Sequence, residues 1–231
     1  MSIRFVLQTA AAAGSLSAMH AAAFPSWFGP GRRLPSRLWR TVRKVAGCTQ
    51  IQELPCPDAW AVQLSNEMMH VPRELILGAG VEHLFIAVAL QVNGIAHHGI
   101  AYEKGTQRWL GLDRSLFDRE TYDDDFKVPR LRAVLLEEIV HVWDYSLESR
   151  HSPYASSGTG VTGSRWREVE CSATGSPRPF AIRNRKPDNR IVEDWASAVL
   201  WYVFRPDHLK AKSRSRHDFA AELFRTELGL S

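Results

Sequence analysis

The sequence predicts an α+β fold: a small sheet with an edge hairpin, packed on helices that carry the candidate site. Three observations predict it. Residues 95–102 and 107–113 read as two strands around a Glu103-Lys104-Gly105-Thr106 turn, the pattern of a β-hairpin. After Pro129, the residues Leu131, Val134, Leu135, Glu138, Val142 and Tyr145 recur at three- and four-residue steps, which predicts a helix over about 130–148. A second long helix is predicted over about 190–204, capped by Asp188 or Asn189 and ended before Pro206.

The length of 231 residues suits one domain, or one domain plus an appendage. Hydrophobic residues make up 45% and charged residues 23%, which excludes a disordered chain and a coiled coil. No apolar run reaches the roughly 18–20 residues that a membrane-spanning helix needs. The formal net charge of +4 and the pI near 9.1 suggest, taken alone, a binder of nucleic acid or of an acidic surface. The distribution of charge removes that reading. Seven basic residues and no acidic one fall within 1–48, leaving 22 basic against 25 acidic residues over 49–231. The globular part is mildly acidic, and no nucleic-acid partner is expected.

At the amino terminus, Arg4 precedes Phe5-Val6-Leu7, an Ala-rich stretch and the small residues Ala21-Ala22-Ala23. Basic start, modest apolar run and small residues predict a signal peptide over 1–23, and hence a secreted or periplasmic protein. A retained leader is the alternative. The basic leader segment 24–48 follows. Within 30–47, Arg37, Arg40, Arg43 and Lys44 interleave with Leu38, Trp39, Val42 and Val45. Such a pattern makes either a weak contact with an anionic membrane surface or a surface helix packing Trp39 and Val42 on the main domain. Cys48, Cys56 and Cys171 include no CxxC pair, so a zinc ribbon is not expected. In an exported chain two of them can pair, Cys48 with Cys56 being the local choice.

Residues 49–231 form the main domain. A helix is predicted from Pro72 through Leu90, past the interrupting Gly78 and Gly80, on the density of apolar residues. The hairpin follows, then a solvated acidic linker holding Asp123-Asp124-Asp125, which lacks the oxygen spacing of a calcium loop. Beyond the 130–148 helix, residues 152–179 are rich in Gly, Ser, Thr and Pro and read as a long irregular crossing of the kind that often carries function. After the 190–204 helix, a shorter one near 216–227 closes the chain.

The residues that carry chemistry lie in Leu135-Leu136-Glu137-Glu138-Ile139-Val140-His141-Val142-Trp143-Asp144. On a helix, Glu137 and His141 are four apart and project from one face, so their heads can converge on one point. Glu138 is one step round and can reach a water held there. Two ligands one turn apart with a carboxylate beside the first is the geometry of a hydrolytic zinc site. On the 190–204 helix, Glu193 lies on the apolar stripe with Ala196, Leu200 and Val203. A carboxylate there is costly unless it is paired or metal-bound. A di-iron reading of Glu138-Ile139-Val140-His141 needs a second ExxH, and the sequence has none.

Together, Glu138-Ile139-Val140-His141-Val142-Trp143-Asp144, Glu193-Asp194-Trp195-Ala196-Ser197-Ala198 and Arg205-Pro206-Asp207-His208-Leu209 resemble a gluzincin metallopeptidase, of which the anthrax lethal factor type of peptidase domain is an example. The resemblance covers roughly residues 70–225. It implies a zincin-like fold, with HExxH on one helix, a third zinc ligand on a later one and an edge hairpin before them. It implies His141 and Glu193 as metal ligands, and Glu138 as the general base acting on a metal-held water. The implied substrate is a protein or peptide, laid along the hairpin strand, and the implied cofactor is zinc.

This chain departs from the pattern at one position: Glu137 stands where the first His of HExxH belongs. Three outcomes follow. Glu137 binds the metal through oxygen, and the more anionic set favours manganese or iron over zinc. Or His97, His98 or His208 supplies the missing imidazole. Or the site has lost metal and catalysis, leaving a pseudopeptidase that acts as a binding protein. Asp144 either orients His141 through a hydrogen bond or lies on the helix surface. Tyr154 and Tyr202 are candidates to stabilise an oxyanion.

Overall fold

The computed structural model describes residues 58–81, 83–92, 95–104, 107–149 and 187–230. The expectations for the signal peptide and leader, for Cys48, Cys56, Cys171 and Tyr154, and for the 152–179 crossing lie outside them. The described chain is α+β, and it divides into two compact units.

The first unit takes in residues 58–73, 81–123 and 128–138. Helix α1 (Asp58–Met68) buries Leu64 and Met68. It is fixed by Trp60 against Phe117, with ring centres 5.3 Å apart, and by Glu67, which accepts from Arg132 at 2.7 Å. Helix α2 (Arg73–Ala79) begins here and belongs mostly to the second unit. It stops at Gly80, whose φ of 63° is left-handed backbone that a glycine adopts without strain. The single helix expected over 72–90 is therefore corrected, because the chain turns into strand β1 (His83–Ala87). Leu84, Phe85, Ile86 and Ala87 are all buried, and a short run buried on both faces has no period that separates strand from helix.

Two-residue strands β2 (Gln91–Val92) and β3 (Ile95–Ala96) pair with each other, and β4 (Gly99–Lys104) and β5 (Gln107–Asp113) form the expected hairpin. The sheet order is β1-β5-β4, with β1 parallel and β4 antiparallel to β5. The strand expected over 95–102 is thus broken at His97-His98. There the His97 N–H donates to the Leu90 carbonyl at 2.8 Å and ties off the β2–β3 flap, while the Leu90 N–H donates to Asp113 Oδ2 at 2.8 Å. Side chains alternate across the sheet. On one face Phe85 and Ala87 gather Ile100, Tyr102 and Trp109, the last two stacked across the strand pair at 5.8 Å. On the other, Leu84, Ile86, Leu110 and Leu112 are buried, and Gly99, paired with Leu112, shares that face. The one-turn helix α3 (Ser115–Asp118) follows β5. Pro129 then closes a bridge to Tyr122, and its carbonyl accepts from Arg132 and Ala133 at the start of helix α4 (Arg130–Ser149).

The second unit takes in residues 74–80, 124–127 and 139–230 of the described chain. Helix α5 (Pro187–Phe204) ends before Pro206 as expected, but it starts ahead of Asp188 and Asn189, so the cap expected at one of them is corrected: both lie in its first turn. Helix α6 (Pro206–Lys212), absent from the sequence reading, starts on that proline, which has no N–H to lose at a first helical position. Helix α7 (Arg214–Leu228) ends on Gly229 at φ 69°, whose N–H returns to the Phe224 carbonyl. Trp143 meets Trp195 at 5.9 Å and Phe224 edge-on at 5.9 Å, and Phe219 meets Trp195 edge-on at 6.1 Å, so these aromatics tie α4, α5 and α7 together. No described helix is long and apolar enough to cross a membrane.

Candidate metal centre

Helix α4 is buried on most of its surface: Leu135, Leu136, Ile139, Val140, Val142, Trp143 and Leu147 are all fully covered. Polar residues on such a helix are exceptions that need partners. Glu137 and His141, half-buried, lie one turn apart on it, and the buried Glu193 of α5 faces His141, with His141 Nε2 and Glu193 Oε2 3.8 Å apart. One ligand atom from each of Glu137, His141 and Glu193 lies within 4.8 Å of the others, and this group can hold a metal ion.

The pairing of α4 and α5 explains how two residues 52 positions apart meet. Trp143 and Trp195 each lie two residues beyond a ligand and pack together, and fully buried Ala196 lets the helices approach. Next to Glu193, the wholly buried Asp194 receives Arg216 of α7 through Nε at 3.1 Å and Nη2 at 3.0 Å, and Arg216 Nη1 donates to Ser213 Oγ at 3.3 Å. A paired, bidentate arginine is what makes a buried carboxylate tolerable. The pair fixes the rotation of α5 that turns Glu193 inward. The sequence reading missed it, since an arginine near a helix start ordinarily reads as surface.

The donor chemistry fits a divalent cation. Two carboxylates and an imidazole converging in one partly buried space are a donor set that divalent cations take, and a doubly charged cation there offsets both carboxylates. Tetrahedral ligands sharing a zinc ion lie about 3.4 Å apart at ligand distances near 2.1 Å. The 3.8 Å gap is therefore close to ligand spacing, and it is too long for a direct hydrogen bond.

The remaining candidates fall as follows. Glu138 is buried against the first unit's sheet, where a side-chain carbon placed on Gly99 would lie 2.5 Å from Glu138 Cγ and 2.7 Å from Val134 Cγ1. Asp144 is fully buried, so it is not the surface residue that the sequence left open. His208 stacks on Trp201 at 4.4 Å and is not in the ligand group. Neither is His97 or the exposed His98. Desolvation where the ring meets the protein, with the Arg130 charge, holds His98 below its ordinary value of 6.5, against the opposing pull of Asp113. Tyr202 packs edge-on against His217 and Phe224, which gives it a structural place between α5 and α7. In the acidic linker, the Asp123 N–H donates to the Val128 carbonyl, the Asp125 carbonyl accepts from Arg205, and Asp124 and Asp125 are exposed, as a solvated loop requires.

Compared with family models, with curated proteins and with solved structures, the chain matches none.

Proposed function

We propose that this protein is a metal-dependent, peptidase-like hydrolase of the gluzincin type, with a zincin-like fold. The observation that carries the reading is the convergence of Glu137, His141 and Glu193 from two helices, with Glu138 next in sequence and buried. His141 and Glu193 would hold the cation and Glu137 would complete the set, zinc being the first choice and manganese or iron the alternatives that a second carboxylate favours. The chemistry such a cation supplies is to polarise a peptide carbonyl and acidify a water. Glu138 takes the water's proton and passes it on to the leaving amine. Asp144, three residues beyond His141, orients the imidazole. The substrate is a protein or peptide, laid in extended form along the hairpin strand β4 by strand addition. The site of action is secreted or periplasmic, following the leader.

Glu137 favours a second reading. With a carboxylate in place of an imidazole, the added negative charge leaves a bound water less acidic, and the scaffold serves as a non-catalytic binding protein. A peptide library incubated with the full chain separates the two. Under the hydrolase reading, cleavage is abolished by a chelator and restored by added metal. A Glu138→Gln variant then cuts about 10²–10⁴-fold more slowly with its metal content unchanged. A chain that cuts nothing supports the binding protein, and one that also holds no metal is the pseudopeptidase that has lost its site.

A further inference from the structure

We propose that Gly99 is a positioning residue for Glu138: the missing side chain at this point of β4 is what seats the carboxylate that moves the proton. The inference rests on the hydrolase reading above. Pairing with Leu112 puts Gly99 on the sheet face that Leu110 and Leu112 bury, and that face meets Val134 and Glu138 of α4. A side-chain carbon on Gly99 would lie 2.5 Å from Glu138 Cγ, 2.7 Å from Val134 Cγ1 and closer still to Glu138 Oε1, distances that real side chains do not show. Swinging the carboxylate away does not relieve the clash. Cγ sits near the helix backbone, and the Val134 methyl has one strongly preferred rotamer.

The strand cannot retreat either. On one side of Gly99 the Asp113 N–H donates to the His98 carbonyl at 2.8 Å, and on the other Ile100 pairs with Gly111. Glycine weakens a strand interior, and its use there often marks a close approach. Here the approaching group is the flank of Glu138. Wedged between Val134 and bare backbone, Glu138 gives up its rotamer freedom during folding and not during the reaction, so its orientation is set before substrate arrives.

Four full-length proteins test this: the parent, Gly99→Ala, Glu138→Ala and the double variant. Bound metal is measured by elemental analysis, stability by thermal melting, and activity by chelator-sensitive cleavage of a peptide library. The expected result is that Gly99→Ala keeps the parent's metal content and cuts at least about tenfold more slowly, through kcat and not KM. It also melts lower than the parent, and that loss shrinks by half or more once Glu138 is alanine. Parent-level kcat in Gly99→Ala, or a melting loss unchanged by removing Glu138, overturns the proposal. If Gly99→Ala does not fold, a double variant that folds supports the proposal, and one that also fails overturns it. A parent that binds metal and cuts nothing removes the hydrolase reading instead, and the melting comparison still decides whether Glu138 is seated by Gly99.

Discussion

Glu137 sets the charge of the site, and its replacement shows what the residue does. A Glu137→His variant exchanges one of two carboxylates for an imidazole and brings the set to the His/His/Glu composition of hydrolytic zinc sites. The expected outcome is tighter zinc binding relative to manganese, read by competition against a chelator of known affinity; unchanged preference would place Glu137 outside the coordination sphere. His98 gives a second residue-scale prediction. Its folded-state value lies below 6.5, so the unfolded chain binds the proton first as the pH falls. Its contribution is intact above 6.5 and is lost as the pH drops from there through the folded value. A His98→Gln variant is expected to lose less melting temperature than the parent between pH 7 and pH 5. Much at this scale was legible in the sequence. Glu137 and His141 follow from helical spacing, and Glu193 from being a carboxylate on an apolar stripe. Gly99 was not legible, because its reason is a residue 39 positions later, on a helix whose rotation against the sheet no local pattern reports.

Helix α5 places Glu193 because α7 holds α5 through Asp194 and Arg216. Removing one partner leaves an uncompensated buried charge, so Arg216→Met is expected to cost about 3–5 kcal/mol in chemical denaturation. The double change Asp194→Leu with Arg216→Met is expected to recover most of that, since well-packed apolar residues can replace a buried pair. A double variant no more stable than the single would contradict the pairing. In the sheet, Gly111 lets the Phe85 ring lie across the strand, where an added carbon would sit 2.7 Å from Phe85 Cε2 and 2.8 Å from Ile100 Cγ2. Gly111→Ala is expected to cost about 1–3 kcal/mol, as overpacking does. Elements with strong punctuation were legible: α4 after Pro129, α5 before Pro206, and the β4–β5 hairpin. Strand β1 was not, because a strand covered on both faces shows no alternation. The β2–β3 flap was not, because it is tied off by the backbone hydrogen bond from the His97 N–H to the Leu90 carbonyl, which side-chain pattern does not encode.

At the scale of the whole molecule, the positive charge excess belongs to residues 1–48, and among the described residues the buried polar side chains are carried by α4, α5 and α7. A ligand that binds only the folded state stabilises it by mass action, about 2.7 kcal/mol at a hundred times its dissociation constant. Chelation is therefore expected to lower the melting temperature of the parent and to leave that of Glu193→Ala unmoved. The most direct measurement is the amount and identity of metal bound to full-length protein prepared without added metal, in the parent and in Glu193→Ala. The expected result is about one divalent ion per chain in the parent, lost in the variant. A parent that carries no metal and takes up none, or a Glu193→Ala variant that keeps the parent's full complement, would contradict the assignment of Glu137, His141 and Glu193 as a metal centre.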